Sequence, residues 1–195
     1  MDAERRNSLL EFLIIADQMK SIERRTYVGG SGRRENDAEH CWHMALCALV
    51  LHREVGLEAD LGRTLSLVLV HDLVEIYAGD TYAYDDAALV GQAERERKAA
   101  DRLFGTLPPD IGGHLRALWD EFEAGETPES KLARACDRMQ GFLQNFIAEG
   151  RSWREHGVTP ERTKVRMQPA YDADPVFGAL LDELYDRADR RGYFG

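Results

Sequence analysis

Residues 65–79 read LSLVLVHDLVEIYAG. Apolar residues run almost unbroken from Leu65 to Ile76, a start near Asp60 is available, and Gly79 is a good C-terminal breaker, so the stretch reads as one helix. A helix apolar on every face is a buried one. This segment therefore predicts the central helix of a core, and it leaves His71, Asp72 and Glu75 where burial is costly unless something compensates them. On an ideal helix the three fall within about 100° of arc, so their side chains can converge on one pocket.

Working outward, the same helical spacing recurs on both sides. Leu9, Leu10, Leu13 and Met19 predict an amphipathic helix from Asp2 to about Lys20 that covers one side of the core. The next stretch, SIERRTYVGGSGRREN (21–36), has no helical period and carries Gly29, Gly30 and Gly32, so an irregular loop is expected. A second helix should start near Asn36 or Asp37, either of which can cap it, and run to about Glu54. Downstream, GQAERERKAADRLFG (91–105) predicts a charged surface helix, and Pro108 with Pro109 introduces another. Thr127 and Pro128 are a cap and first-turn pair for a long helix through Leu132, Met139, Phe142 and Phe146. Thr159 with Pro160 repeats the device, and a last helix is expected over about 175–190. Strand-like alternation and internal repeats are missing, so the expected class is all-α.

A chain of 195 residues that is 44% hydrophobic can bury one sizeable core and reads as a single domain, 1–195. The formal net charge of -10 disfavours a nucleic-acid polymer as partner, whereas a metal ion and an arginine can still reverse the field inside a pocket for a small anion. Cys41, Cys47 and Cys136 are odd in number and lack CxxC spacing, which fits reduced thiols in a cytoplasm. No apolar run reaches the length of a membrane span, and no secretion signal is evident.

The ionisable residues at core positions fall on three separate helices: Glu39 and His40 on the second, His71 and Asp72 on the third, Asp137 on the long later one. A divalent ion would remove the penalty of burying them. Two imidazoles with two carboxylates suit a borderline or hard cation and leave coordination positions open, which is the arrangement of a catalytic site, not a structural one. Manganese, cobalt, iron, nickel, zinc and magnesium all tolerate such ligands, so the ion's identity is not readable.

The segments RRENDAEHCWHMAL (33–46), LVLVHDLVEIYAGDTYAYD (67–85) and KLARACDRM (131–139) resemble the HD-domain phosphohydrolases, in particular the branch containing the 5'-deoxynucleotidases. The resemblance runs from about Asn7 to beyond Phe146 and implies a single helical HD domain, with a metal-binding core at about 36–147 and C-terminal helices at about 160–190. It implies that His40, His71, Asp72 and Asp137 bind one divalent ion. Without it, Asp137 would read as an ordinary helix-face charge beside Arg134 and Arg138. By the same resemblance Glu75 orients or deprotonates the attacking water, Asp80 sits at the pocket edge for the leaving oxygen or a sugar hydroxyl, and Arg25, preferred to Arg24, Arg33 or Arg34, grips the phosphate. Homodimer formation and a small nucleotide or other phosphate ester as substrate are also implied.

One departure bears on substrate. An aromatic residue is expected directly after the phosphate-binding arginine, against the sugar, and this chain has Thr26; Tyr27 is the candidate to take over the stacking. His43 is expected to pack or support a ligand, and Glu39 either neutralises a helix start or supports a ligand. Trp42 is expected in the core or walling the metal pocket. The expected activity is hydrolysis of (deoxy)nucleoside 5'-monophosphates. The alternatives are a nucleoside triphosphate, an alarmone or another phosphate ester on the same site, or a non-catalytic nucleotide-binding module.

Overall fold

A computed structural model describes residues 1–194. In chain order its helices are α1 (Ala3–Ala16), α2 (Asp37–Leu51), α3 (Leu61–Val70), α4 (Glu75–Ala78), α5 (Asp86–Leu89), α6 (Gln92–Phe104), α7 (Pro109–Ala124), α8 (Pro128–Ile147), α9 (Arg151–Glu155), α10 (Pro160–Ala173) and α11 (Pro175–Arg190). The all-α expectation is met, and the helix starts read at Asp60, Thr127 and Thr159 are in place, each accepting from a backbone N–H of the first turn, as Asp174 also does ahead of the last helix. At the start of α2, Asn36 accepts from Glu39 N–H while the Glu39 carboxylate accepts from Asn36 N–H, a reciprocal cap. That settles Glu39 as a residue that holds the helix end. It also leaves Asp37, fully buried, free for another use.

The expected third helix is not continuous. It stops at Val70, and bonds from Leu73 N–H to Val70 C=O, Glu75 N–H to Asp72 C=O and Tyr77 N–H to Val74 C=O tighten residues 70–77 toward a three-residue turn. Side chains three apart then nearly eclipse, which brings Asp72 and Glu75 to the same side. The chain stops as expected at Gly79, whose φ of 75° is accessible to glycine without a Cβ clash. Burial on every face also fails at one point, since Leu69 is 62% exposed. The long helix α8 is the other axis of the molecule, packing against α2, α3, α7, α10 and α11.

Two further expectations are corrected. Residues 21–36 are not an irregular loop: β1 (Glu23–Tyr27) and β2 (Arg34–Asn36) pair antiparallel, and Gly30 and Gly32 turn the chain between them at positive φ. The strands are so short and charged that they carry no apolar alternation to read. The first helix does not cover the core with the face predicted. Phe12 and Met19 are buried, but Leu10 and Leu13 are 53% and 66% exposed, because the helix ends at Ala16 and a separate 3-10 turn, Asp17–Ser21, carries Met19 inward.

Candidate functional site

Three elements meet at the middle of α8. From α2 comes His40, wholly buried; from the α3 end come His71 and Asp72; from α8 comes Asp137. Nε2 of His40 lies 3.1 Å from Oδ1 of Asp137 and 3.6 Å from Oδ2 of Asp72, and Nε2 of His71 lies 3.1 Å from Oδ1 of Asp72. Nitrogen and oxygen atoms of His40, His71 and Asp72 fall within 4.8 Å of one another. The structure thus brings together all four residues expected to hold an ion.

The protonation of the two rings follows from their other contacts. Nδ1 of His71 lies 2.8 Å from the carbonyl oxygen of Val68, which can only accept, so Nδ1 carries hydrogen. Nδ1 of His40 lies 2.6 Å from Oε1 of Gln140, whose Nε2 donates to the Glu35 carboxylate at 2.8 Å; Oε1 is therefore the acceptor and Nδ1 again the donor. Both neutral rings then turn a bare Nε2 lone pair inward, and both Nε2 atoms are buried without a hydrogen-bond partner. Lone pairs facing carboxylate oxygens at about 3 Å need a positive charge between them, either a proton or a metal ion. With no ion, a proton supplies it: burial opposes the charged His71 ring, but Asp72 outweighs burial and raises it well above the usual imidazole range. Burial pushes Asp137 up, yet Arg138 and then His40 outweigh it and hold the carboxyl well below the usual range. The donor set fits a divalent ion.

Beside this group is a second one, formed by Asp37, Glu75 and Asp80, whose carboxylate oxygens also fall within 4.8 Å of one another. Arg24 reaches between the two, 3.1 Å from Asp72, 3.3 Å from Asp37 and 3.5 Å from Asp80. One cation among so many acids is too little. Burial first, then the Asp72 charge, raises Asp37 to about 7 and raises Glu75 well above the usual carboxyl range. Oδ2 of Asp37 and Oε2 of Glu75 have no partner. Such a cluster can hold a proton at neutral pH and exchange it with water.

Other expected residues are placed as follows. Arg25 lines the cavity but is exposed, with no side-chain partner, while its neighbour Arg24 makes the contacts inside the acidic group. The alternation of β1 puts Arg24 and Thr26 on the inward face, and no signal in an unrecognised strand could have shown this. Thr26 is buried and donates to Glu35 at 2.9 Å. Tyr27 does not stack at the site: its ring lies between the guanidiniums of Arg34 and Arg151, 3.8 Å from each, and its hydroxyl donates to Glu155. It faces a different hollow, because neighbouring strand residues point to opposite sides. Trp42 neither enters the core nor walls the site; it is 68% exposed. His43 lies 3.4 Å from the Gln140 amide and packs beside Trp42.

The two groups open on a cavity of about 390 Å³, within the range of small-molecule sites. Tyr82 and Tyr84, 5.4 Å apart between ring centres, line it, as do Glu96 and Glu123. The two tyrosines follow directly on the AGDT run and could have been singled out from it. Gln140 carried no such signal, being one polar residue in a helix face.

Residues 16–173 match the family described as HD domain. Human 5'-deoxynucleotidase HDDC2 is 32% identical over 138 residues, covering 70% of this chain and 66% of that protein. A Dictyostelium discoideum protein of the same name is 26% identical over 95% of this chain and all of its own length. The chain therefore spans about two thirds of the human relative. Among solved structures, a predicted metal-dependent phosphohydrolase from Magnetospirillum magnetotacticum MS-1 superposes with a TM-score of 0.92 at 43% identity, over 98% of this chain and 96% of that one.

Proposed function

The chain belongs to the HD-domain family, and on that premise we propose that it is a metal-dependent phosphohydrolase that converts (deoxy)nucleoside 5'-monophosphates to nucleoside and phosphate. The observation that carries this reading is the pair of orphaned Nε2 lone pairs on His40 and His71, facing Asp72 and Asp137 at the wall of a nucleotide-sized cavity. The names of the relatives, 5'-deoxynucleotidase and metal-dependent phosphohydrolase, support the reaction class and the ester.

His40, His71, Asp72 and Asp137 would hold one divalent ion, which when bound supplies a Lewis acid at the phosphoryl oxygen and lowers the pKa of water. Glu75, whose carboxyl burial and the Asp72 charge raise above the usual range, takes the proton of the attacking water. As water oxygen bonds to phosphorus the ester P–O bond breaks, and Asp80 at the cavity edge handles the departing sugar oxygen. Arg25, at the exposed rim without a carboxylate partner, meets the phosphate. With Tyr27 turned away and Thr26 buried against Glu35, Tyr82 and Tyr84 are the aromatic surfaces left to pack against the nucleoside.

A homodimer is supported by an apolar stripe on α2, where Trp42, Leu46, Leu49 and Val50 are all exposed at helical spacing. Three buried, unpaired cysteines favour a reducing, cytoplasmic setting. Among the described residues, no helix is long and apolar enough to cross a membrane.

The test is a panel of nucleoside mono- and triphosphates, an alarmone and simple phosphate esters against manganese, cobalt, magnesium, nickel, iron and zinc. Release of phosphate from monophosphates is expected. Metal binding with no ester hydrolysed faster than by Asp72→Ala would instead favour a nucleotide-binding module.

A further inference from the structure

The arginines lining the cavity differ in what they touch. Arg24 is consumed by Asp37, Asp72 and Asp80, and Arg134 donates to the backbone carbonyls of Phe122 and Glu123. Arg138 spends Nη1 on Asp137 and leaves its Nε buried with no partner. Arg166, carried on α10 well outside the motif segments, lines the same cavity, yet among the described residues its guanidinium makes no hydrogen bond or ion pair. Burial, then the adjacent Arg138 charge, lowers Arg166 to about 10, so it stays a cation at neutral pH. Asp137, whose charge is felt at Arg166, is already engaged by Arg138 and faces His40.

A guanidinium on the cavity wall with no acceptor of its own, beside a second whose Nε is buried and unpartnered, disfavours folding. An oxyanion in the cavity would supply the missing acceptors, and a guanidinium binds phosphate through two parallel N–H bonds. We propose that Arg166, with the free Nε edge of Arg138, forms a binding site for a phosphoryl group of the ligand. This rests on the preceding reading only in taking the ligand to carry phosphate. That phosphoryl group is either the one being hydrolysed or a second one on the same nucleotide.

The experiment compares the whole chain with Arg166→Gln and Arg166→Lys. Inorganic phosphate is titrated by calorimetry with and without manganese, and manganese content, thermal midpoint, KM and kcat are followed. Substrates are a deoxynucleoside 5'-monophosphate and the matching 3',5'-bisphosphate. Arg166→Gln should weaken phosphate about tenfold or more, with manganese content unchanged and a midpoint no lower than wild type; Arg166→Lys should recover part of the affinity. A KM rise shared by both substrates assigns the site to the reacting phosphate, and one confined to the bisphosphate assigns it to the second. Phosphate affinity unchanged in Arg166→Gln overturns the proposal, as does a lowered midpoint with affinity intact, which marks a structural arginine. If the wild type hydrolyses nothing, the proposed activity fails, while the phosphate titration still decides the role of Arg166.

Discussion

Across 100 residues of chain, Nδ1–H of His40 donates to Oε1 of Gln140 at 2.6 Å, and the same amide donates onward to Glu35. The Glu35 carboxylate, which also accepts from Thr26, orients the amide, and the amide in turn fixes which His40 nitrogen is bare. Gln140→Met keeps the volume and removes the acceptor. Losses of this kind at the supports of ligating histidines are about 10–100-fold in metal affinity, and a manganese titration reads the change. An affinity equal to wild type would mean that burial alone orients His40.

Glu75 is 8% exposed and faces Asp72 and Asp37. Glu75→Gln retains shape and hydrogen bonding but cannot take a proton, so turnover should fall by about 10²–10⁴-fold with bound metal retained. Parallel steady-state kinetics and elemental analysis separate the two quantities. Undiminished turnover removes Glu75 from the proton transfer.

Asp37 gives the metal-free protein a pH signature. Its carboxyl titrates near 7 when folded against about 3.9 when unfolded, so between those values the folded state binds more protons. Stability is then highest at the acid end of the window and falls as pH rises from about 4 through 7. His71 and Glu75, also raised, push the same way, whereas the lowered carboxyls of Asp72 and Asp137 change protonation below this window. Urea midpoints of chelator-treated protein should drop between pH 5 and pH 8, and Asp37→Asn should flatten the slope. A midpoint that climbs over that range contradicts the assignment.

Trp42 stands 68% exposed beside Leu46, Leu49 and Val50. On the proposed homodimer, Trp42→Glu puts a charge at the N-terminal end of that stripe and should shift the mass seen by light scattering from dimer to monomer, with the thermal midpoint little changed because a surface substitution usually moves stability within about 0.5 kcal/mol. Persistence of a dimer would locate its interface elsewhere on the molecule.

Much of this molecule is legible along the chain. Helix class, helix starts at Thr127–Pro128 and Thr159–Pro160, and the stop at Gly79 all depend on side chains within a few residues, because caps and breakers act locally. The histidines and acids at apolar helix positions were also visible, since a polar residue in a buried run needs a compensating partner wherever that partner lies. What neighbouring residues cannot specify is which face of a short strand turns inward: Arg24 and Thr26 face the acids and Tyr27 turns away because β1 pairs with β2, with a register shift between Glu23 and Tyr27, and packs on α8. The Gln140 support of His40 and the unpartnered guanidinium of Arg166 belong to that second kind. Both arise where helices distant in sequence cross, and the contacts made there depend on packing between elements, which no local pattern encodes.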